Sequence, residues 1–188
     1  MDAFSYLSVL LSIILGLAIT QVLLGLRGLM HARSRVRMYA PAMIWALMLL
    51  VVFVQSWWSE FGLRNHENWT FVGFSVVVAH SIFLYMLAAL VLPDVHRDDE
   101  NVDLRAHYYD THRWFFGFVV LAALAGAGKD VALDGRLPEW RNLAFQLGFA
   151  ATAGIAAVTR TEWYHRILAP SAAIAFGFYV ALLFSQLD

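Results

Sequence analysis

The stretch WTFVGFSVVVAHSIFLYMLAALVL, residues 69–92, contains no aspartate, glutamate, lysine or arginine, and its one histidine is His80. A helix of about 20 mostly apolar residues is long enough to cross the hydrocarbon core of a bilayer. Burying many such stretches inside a soluble core is implausible for a chain of 188 residues, because its surface is too large relative to its volume. We therefore predict that this segment is a transmembrane helix.

The composition of the whole chain supports the same class of protein. Hydrophobic residues make up 61% of the chain and charged residues 14%, and the mean hydropathy is +0.63. Soluble domains contain roughly 45–50% apolar and 25% charged residues. The formal net charge is −1 and the basic residues are scattered, so we expect no nucleic-acid partner. The absence of cysteine excludes disulfides, thiolate metal sites and iron–sulfur clusters.

Six segments are predicted to span a membrane. They are residues 4–27, 39–59, 69–92, 114–133, 142–159 and 167–187. The expected fold is an all-α membrane protein, a six-helix transmembrane bundle that forms one integral domain over residues 1–188. The fifth segment is short and rich in alanine, so the count falls to five if residues 142–159 do not span. The first segment lacks a positively charged leader and is too long for a signal peptide, so we expect an uncleaved span.

The basic residues predict how the bundle is oriented. Nine arginines fall in the loops on one side, and three arginines with the one lysine fall on the other. The side richer in arginine is expected to be cytoplasmic, so both termini are predicted to be non-cytoplasmic and the polar loop 93–113 cytoplasmic. Six of the seven tryptophans fall at span ends, where indole rings prefer the headgroup level. The expected location is a bacterial inner membrane.

Small residues recur at intervals of four in several spans. Such ridges let helices approach closely in lipid, where no hydrophobic force drives their association. We expect the ridges to be packing seams inside the bundle, with a subunit interface as the alternative, and the bulkier spans two and three to face lipid. The clearest ridges are Ser8, Ser12, Gly16 and Thr20 in span one and Ala144, Gly148, Thr152 and Ala156 in span five.

His80 is the one histidine or charged residue near the middle of a predicted span. Ionisable groups at that depth are costly and often functional. The ring could bind a haem or metal or relay protons, or it could only bond to a neighbouring carbonyl or glutamine. A haem between two mid-membrane histidines of one chain is disfavoured, because the other six histidines lie at or outside the interfaces. Haem at the inner surface or between subunits stays open.

Other polar residues extend this hypothesis to a path through the bundle. Gln55 and Glu60 are predicted in the outer half, and Gln21 and Tyr85 in the inner half, with His80 between them. If these side chains converge, they line a trail of the kind that a proton, an ion or a small solute needs. Interhelical hydrogen bonds alone would also explain them.

A second candidate site lies in DLRAHYYDTHRWFFG, residues 103–117. At helical spacing Asp103, His107 and Asp110 share one face, and His112 lies on another. Carboxylates with imidazole suit zinc, manganese or iron, although one ion could take His107 with only one of the aspartates. The alternative is that Asp103 caps a helix running into span four and that Asp110 pairs with an arginine. Further metal ligands on the same side would be His31, His96, His165 and Glu162.

The segment GAGKDVALDG, residues 126–135, does not fit a phosphate-binding loop. That pattern requires glycine at position 123 and serine or threonine at 130, where this chain has Ala123 and Asp130. We predict that Lys129 and Asp130 anchor the end of a membrane helix at the outer interface.

These observations lead to one leading hypothesis and two alternatives. The leading one is a non-catalytic membrane protein that conducts, transports or senses a small solute, ion or proton, as an oligomer or a subunit of a larger complex. One alternative is a membrane redox or metal-dependent enzyme subunit that uses the cytoplasmic-face histidines and carboxylates. The other is a structural or interaction subunit. No cofactor is predicted, and haem or a divalent metal stays open as an alternative.

Overall fold

The computed structural model describes residues 3–66, 68–95 and 101–183. In this part of the chain six α-helices follow one another: α1 (Ala3–His31), α2 (Ala40–Glu60), α3 (Phe71–Val91), α4 (Leu104–Asp134), α5 (Trp140–Val158) and α6 (Glu162–Leu183). A 3-10 helix, Phe61–Asn65, follows α2 directly. Two short strands, β1 (Val36–Arg37) and β2 (Val102–Asp103), pair in parallel and tie the α1–α2 loop to the start of α4.

Five of these helices are long and apolar enough to cross a membrane, namely α1, α2 with its 3-10 extension, α3, α4 and α6. The helical architecture therefore agrees with the predicted all-α membrane protein. Helix α5 is not in this group, so a sixth span remains a prediction.

Helix α4 begins at Leu104, well before the predicted start of its span at residue 114, because Asp103 caps it. The Asp103 carboxylate accepts hydrogen bonds from the backbone N–H groups of Arg105 (2.8 Å) and Ala106 (3.0 Å). These are donors that the first turn of a helix leaves unpaired. The bond from Ala106, followed by that from Arg105, holds the pKa of the Asp103 carboxyl below its ordinary value. The predicted cap is confirmed, and the stretch after it is helical.

The core contains buried residues from all six helices. Trp45 of α2 meets Phe115 and Phe116 of α4 edge-on, with ring centroids 5.5 and 5.4 Å apart. Among the five candidate spans α2 is the most buried and α3 the next. In an apolar stretch of 18 residues, 44% of the residues of α2 and 33% of those of α3 are buried. The prediction that the bulky spans two and three face lipid is therefore wrong. Large side chains fill the centre of the bundle because they supply the most contact area.

The small-residue ridges of α1 and α5 lie mostly on the outside of the bundle. Ser12, Gly16 and Thr20 are exposed on α1, and the leucine face of that helix packs inward. A β-carbon built on Gly16 or Gly148 would meet no atom within 4 Å in the part of the chain that the structure describes. The prediction of internal seams is wrong for these ridges, since spacing alone does not tell which face of a helix turns inward. The buried residues of α5 are Ala150, Ala153 and Ala156, and of these only Ala156 belongs to the ridge.

Candidate functional site

A cavity of about 320 Å³ lies between α2, α3, α4, α5 and α6. We call it the central cavity. The end of the bundle that lies closer to this cavity, where α2 and α4 finish, is called the Glu60 end. The opposite end, where α4 begins, is the Asp103 end. Binding sites for small molecules have volumes of about this size. All five helices contribute polar side chains to the lining: Gln55, Ser56, Ser59, Glu60, His80, Lys129, Asp130, Asn142, Gln146 and Tyr179.

Charged residues of both signs line the cavity. Glu60, the last residue of α2, is only 6% exposed, and its Oε1 has no hydrogen-bond partner in the described structure. Lys129 and Asp130 reach the cavity from the last turns of α4. The sequence analysis treated these two only as interface anchors. The missed signal is the helical spacing of Ala122, Gly126 and Lys129, which places small residues and a charge on one face.

His80 lies where α3, α4 and α5 meet. A β-carbon built on Gly126 would lie 3.7 Å from His80 Nε2 and 3.7 Å from Gln146 Oε1, so both side chains reach the surface of α4 at this glycine. His80 Nδ1 and Gln146 Oε1 are buried and have no hydrogen-bond partner among the described residues. The imidazole and the amide oxygen therefore remain able to bind a further group.

Asn142 orients two of its neighbours at the wall of the cavity. Its Oδ1 accepts hydrogen bonds from Gln146 Nε2 (2.8 Å) and from the Tyr179 hydroxyl (2.8 Å). The Tyr179 ring stacks on Phe145, with centroids 4.2 Å apart. Because the Gln146 NH₂ group is directed to Asn142, the Gln146 oxygen is the atom of this amide that remains able to accept a hydrogen bond from a group in the cavity. The sequence analysis did not single out Asn142.

The cavity ends toward the Asp103 end in an apolar floor. The floor includes Trp45, Leu84, Leu87 and Val119, each less than 5% exposed. Such a floor separates the polar lining from the other side of the bundle, so the described residues form a chamber with one polar end.

Three of the five predicted path residues come together in the structure. Gln55, Glu60 and His80 line the central cavity, whereas Gln21 on α1 and Tyr85 on α3 do not. Tyr85 packs against the apolar core. Among the described residues the predicted path thus reduces to these three side chains, which share one cavity.

The residues of the predicted ligand cluster at the Asp103 end each make contacts of their own. Asp103 caps α4 and lies 3.4 Å from Arg37, and Asp110 is exposed. His107 Nε2 donates to the Leu90 carbonyl (3.0 Å), and His112 Nδ1 donates to the Tyr109 carbonyl (2.6 Å). The described residues contain no group of three or more histidines and acids placed to hold a metal. His96, named as a further ligand, lies outside the described residues, and the metal site remains a prediction.

Two buried histidines meet near the Asp103 end instead. His112 and His165 are 1% and 0% exposed, and their rings are perpendicular with centroids 6.1 Å apart. His165 Nε2 donates to the Thr159 carbonyl (2.9 Å), so in the neutral ring Nδ1 accepts the hydrogen bond from the Tyr108 hydroxyl (3.0 Å). From the sequence, both histidines were expected at or outside a membrane interface. They are buried because α4 and α6 begin earlier than their predicted spans.

His112 also borders a second, very small space beneath the floor of the central cavity. This space has a volume of about 10 Å³ and is lined by Trp45 and His112 among others. Trp45 Nε1 and His112 Nε2 are buried nitrogens without a hydrogen-bond partner in the described structure. One is a donor and the other, in the neutral ring, an acceptor, and the volume is close to what one water molecule needs.

Protein-family models, curated proteins and solved structures give no match to this chain.

Proposed function

We propose that this chain is an integral protein of a bacterial inner membrane that takes a small polar solute, ion or proton into the central cavity and transports or senses it. One observation supports the proposal above all others. Five helices surround a space of about 320 Å³ with a carboxylate, an ammonium group and an imidazole inside an apolar bundle.

The cost of such a lining supports a functional role for it. Removing an ionised side chain from water costs several kcal/mol even after the protein relaxes around it. A packed apolar interior would avoid that cost, and most of this bundle is packed in that way. Glu60 Oε1, His80 Nδ1 and Gln146 Oε1 are buried without a partner in the described structure. Groups of this kind are retained where they bind something that enters the site.

The proposed topology has six spans, with α5 as the fifth, and places the Glu60 end outside the cytoplasm. In this arrangement the cavity receives its ligand from outside, and the apolar floor at Trp45 closes it toward the cytoplasm. A transporter must open that floor at some stage, as alternating access requires. A sensor needs only to change conformation when the ligand binds. The proposed protein works as an oligomer or within a larger membrane complex.

Filling the cavity tests the proposal. Gly126→Leu puts a branched side chain where His80 and Gln146 meet, and His80→Ala removes the imidazole. In proteoliposomes with a clamped membrane potential and an enclosed pH dye, we expect proton or proton-coupled flux that both variants reduce at least about tenfold. For a sensor without flux, we expect both variants to abolish a ligand-induced shift of the melting temperature. Gly177→Leu is the matched control, because Gly177 is exposed and a β-carbon there would meet none of the described atoms within 4 Å.

The result that overturns the proposal is a folded Gly126→Leu protein whose flux and ligand response equal those of the unmodified chain. The same holds if Gly177→Leu and Gly126→Leu lower the activity equally, because the effect would then come from added bulk at any position.

A further inference from the structure

The central cavity holds opposite charges that do not neutralise each other by direct contact. Glu60 comes from the end of α2 and Lys129 from the penultimate turn of α4, and both side chains line the same space. The ion pairs of the described structure do not include one between them, and Glu60 Oε1 has no hydrogen-bond partner there. An acid and a base that line one space inside the bundle without pairing are each able to bind an opposite charge.

The unpartnered oxygens restrict the chemistry of a ligand. A carboxylate only accepts hydrogen bonds, and so does the carbonyl oxygen of an amide. Glu60 Oε1 and Gln146 Oε1 both lack a donor in the described structure, and the Gln146 NH₂ group is already directed to Asn142. A ligand that satisfies these two atoms must carry N–H or O–H donors. Lys129, in contrast, carries donors only and favours a negatively charged group.

One side of the remaining wall is aromatic. Phe145, Phe149 and Phe176 line the cavity, and Trp45 and Leu49 close its floor. Phe145 is stacked on Tyr179 and lies 6.0 Å from Phe149 between ring centroids, so this wall is a continuous aromatic surface. It would cover an uncharged side chain of a ligand whose charged groups face Glu60 and Lys129.

We infer that the ligand of the central cavity is a small zwitterion of the α-amino-acid type. Its ammonium group binds Glu60 and the Gln146 oxygen, its carboxylate binds Lys129, and its side chain lies against the aromatic wall. This inference rests on the proposed function, because it names the substrate class of the same cavity.

Binding measurements on the purified chain in lipid nanodiscs test the inference. The probes are the twenty common α-amino acids and glycine betaine, each titrated separately by calorimetry. The tightest α-amino acid is then compared with its amide, which lacks the carboxylate, and with its N-acetyl derivative, which lacks the ammonium group. A hydrogen bond to a charged group contributes enough that we expect either derivative to bind about 10- to 100-fold more weakly.

Two variants test which cavity residue recognises which charged group of the amino acid. Glu60→Gln is expected to remove most of the preference over the N-acetyl derivative, and Lys129→Gln most of the preference over the amide. If Glu60→Gln does not fold, Gln146→Met removes the second acceptor at similar volume and is expected to act in the same direction. Glu139→Gln and Arg136→Gln are the matched controls, because both residues are exposed near the same end of the bundle.

Failure of this inference and failure of the proposed function give different results. If none of the probes binds, or if a singly charged derivative binds as tightly as the zwitterion, the inference is wrong. The proposed function then still stands if Gly126→Leu abolishes proton flux. If Gly126→Leu leaves both flux and all binding unchanged, the proposed function and the inference fall together.

Discussion

Asp103 shows that an aspartate in a sequence can be interpreted either as a metal ligand or as the N-terminal cap of a helix. Its carboxylate accepts two backbone hydrogen bonds at the start of α4 and lies 3.4 Å from Arg37, which belongs to β1. These contacts use the oxygens that a metal would need. By contrast Glu60, at the end of α2, has an oxygen without a partner in the described structure. Whether a carboxylate is free to bind a ligand thus depends on which backbone groups surround it.

Replacing Asp103 tests the cap. We expect Asp103→Ala to lower the free energy of unfolding by about 1 kcal/mol at neutral pH, because two N–H groups lose their acceptor. The pKa of Asp103 is lowered in the folded protein, so its stabilisation is complete above the ordinary pKa of an aspartate, about 3.9. It is lost as the pH falls through the lower, folded-state pKa.

Thermal unfolding in detergent, at pH 7 and at pH values below 4, measures both effects. Asp103→Asn serves as the comparison, because asparagine caps a helix without ionising. Equal melting temperatures of the unmodified chain and Asp103→Ala at pH 7 would show that the cap contributes nothing to stability.

Helix α4 is longer than a membrane requires. Its 31 residues extend over roughly 46 Å, whereas the hydrocarbon core of a bilayer is about 30 Å thick. The surplus is the polar first part, which packs beside α6 through hydrogen-bonded contacts such as Tyr108 with His165. Helix α5 has only 19 residues, and whether it crosses the membrane decides on which side the α5–α6 loop lies.

Single-cysteine labelling tests the sixth span at this scale. The chain has no cysteine, so Arg136→Cys before α5 and Arg160→Cys after it each create one reactive thiol. If α5 crosses the membrane, we expect an impermeant maleimide to label only position 136 in intact cells and both positions after the membrane is opened. Labelling of both positions in intact cells, or of neither, would show that α5 does not cross.

The surface of the whole bundle carries the ridges that the sequence analysis expected inside. Small residues on α1 and α5 are exposed, and helices in lipid associate where small residues allow close contact. For the proposed oligomer, the bundle therefore offers two faces, one on α1 and one on α5, at which a helix of another subunit could pack.

A substitution in the α1 ridge tests the assembly. We expect the chain in mild detergent to have the mass of an oligomer by light scattering, and Gly16→Leu to shift it toward the monomer. A β-carbon at Gly16 would meet no atom of the described residues within 4 Å, so we expect the substitution to leave the fold intact. If the unmodified chain is a monomer in detergent and in nanodiscs, the assembly part of the proposal is wrong.

The sequence by itself predicted apolar helices long enough to cross a membrane, the places of most helices and, as one of two interpretations of Asp103, the cap of α4. These features depend on local properties, because the length of an apolar run decides whether a helix can lie in lipid and a cap involves only neighbouring residues. The hypothesis that His80 is functional also followed from a local property, its position in the middle of one apolar stretch.

Only the tertiary structure decided which faces of the helices turn inward and which polar residues share a space. Glu60, His80, Lys129 and Gln146 are far apart in the chain, and they meet because α2, α3, α4 and α5 pack around one cavity. Gln21 and Tyr85 looked equally suitable along the chain, but their helices direct them elsewhere. The physical reason is that packing follows the fit of whole side-chain surfaces, which one helix at a time does not specify.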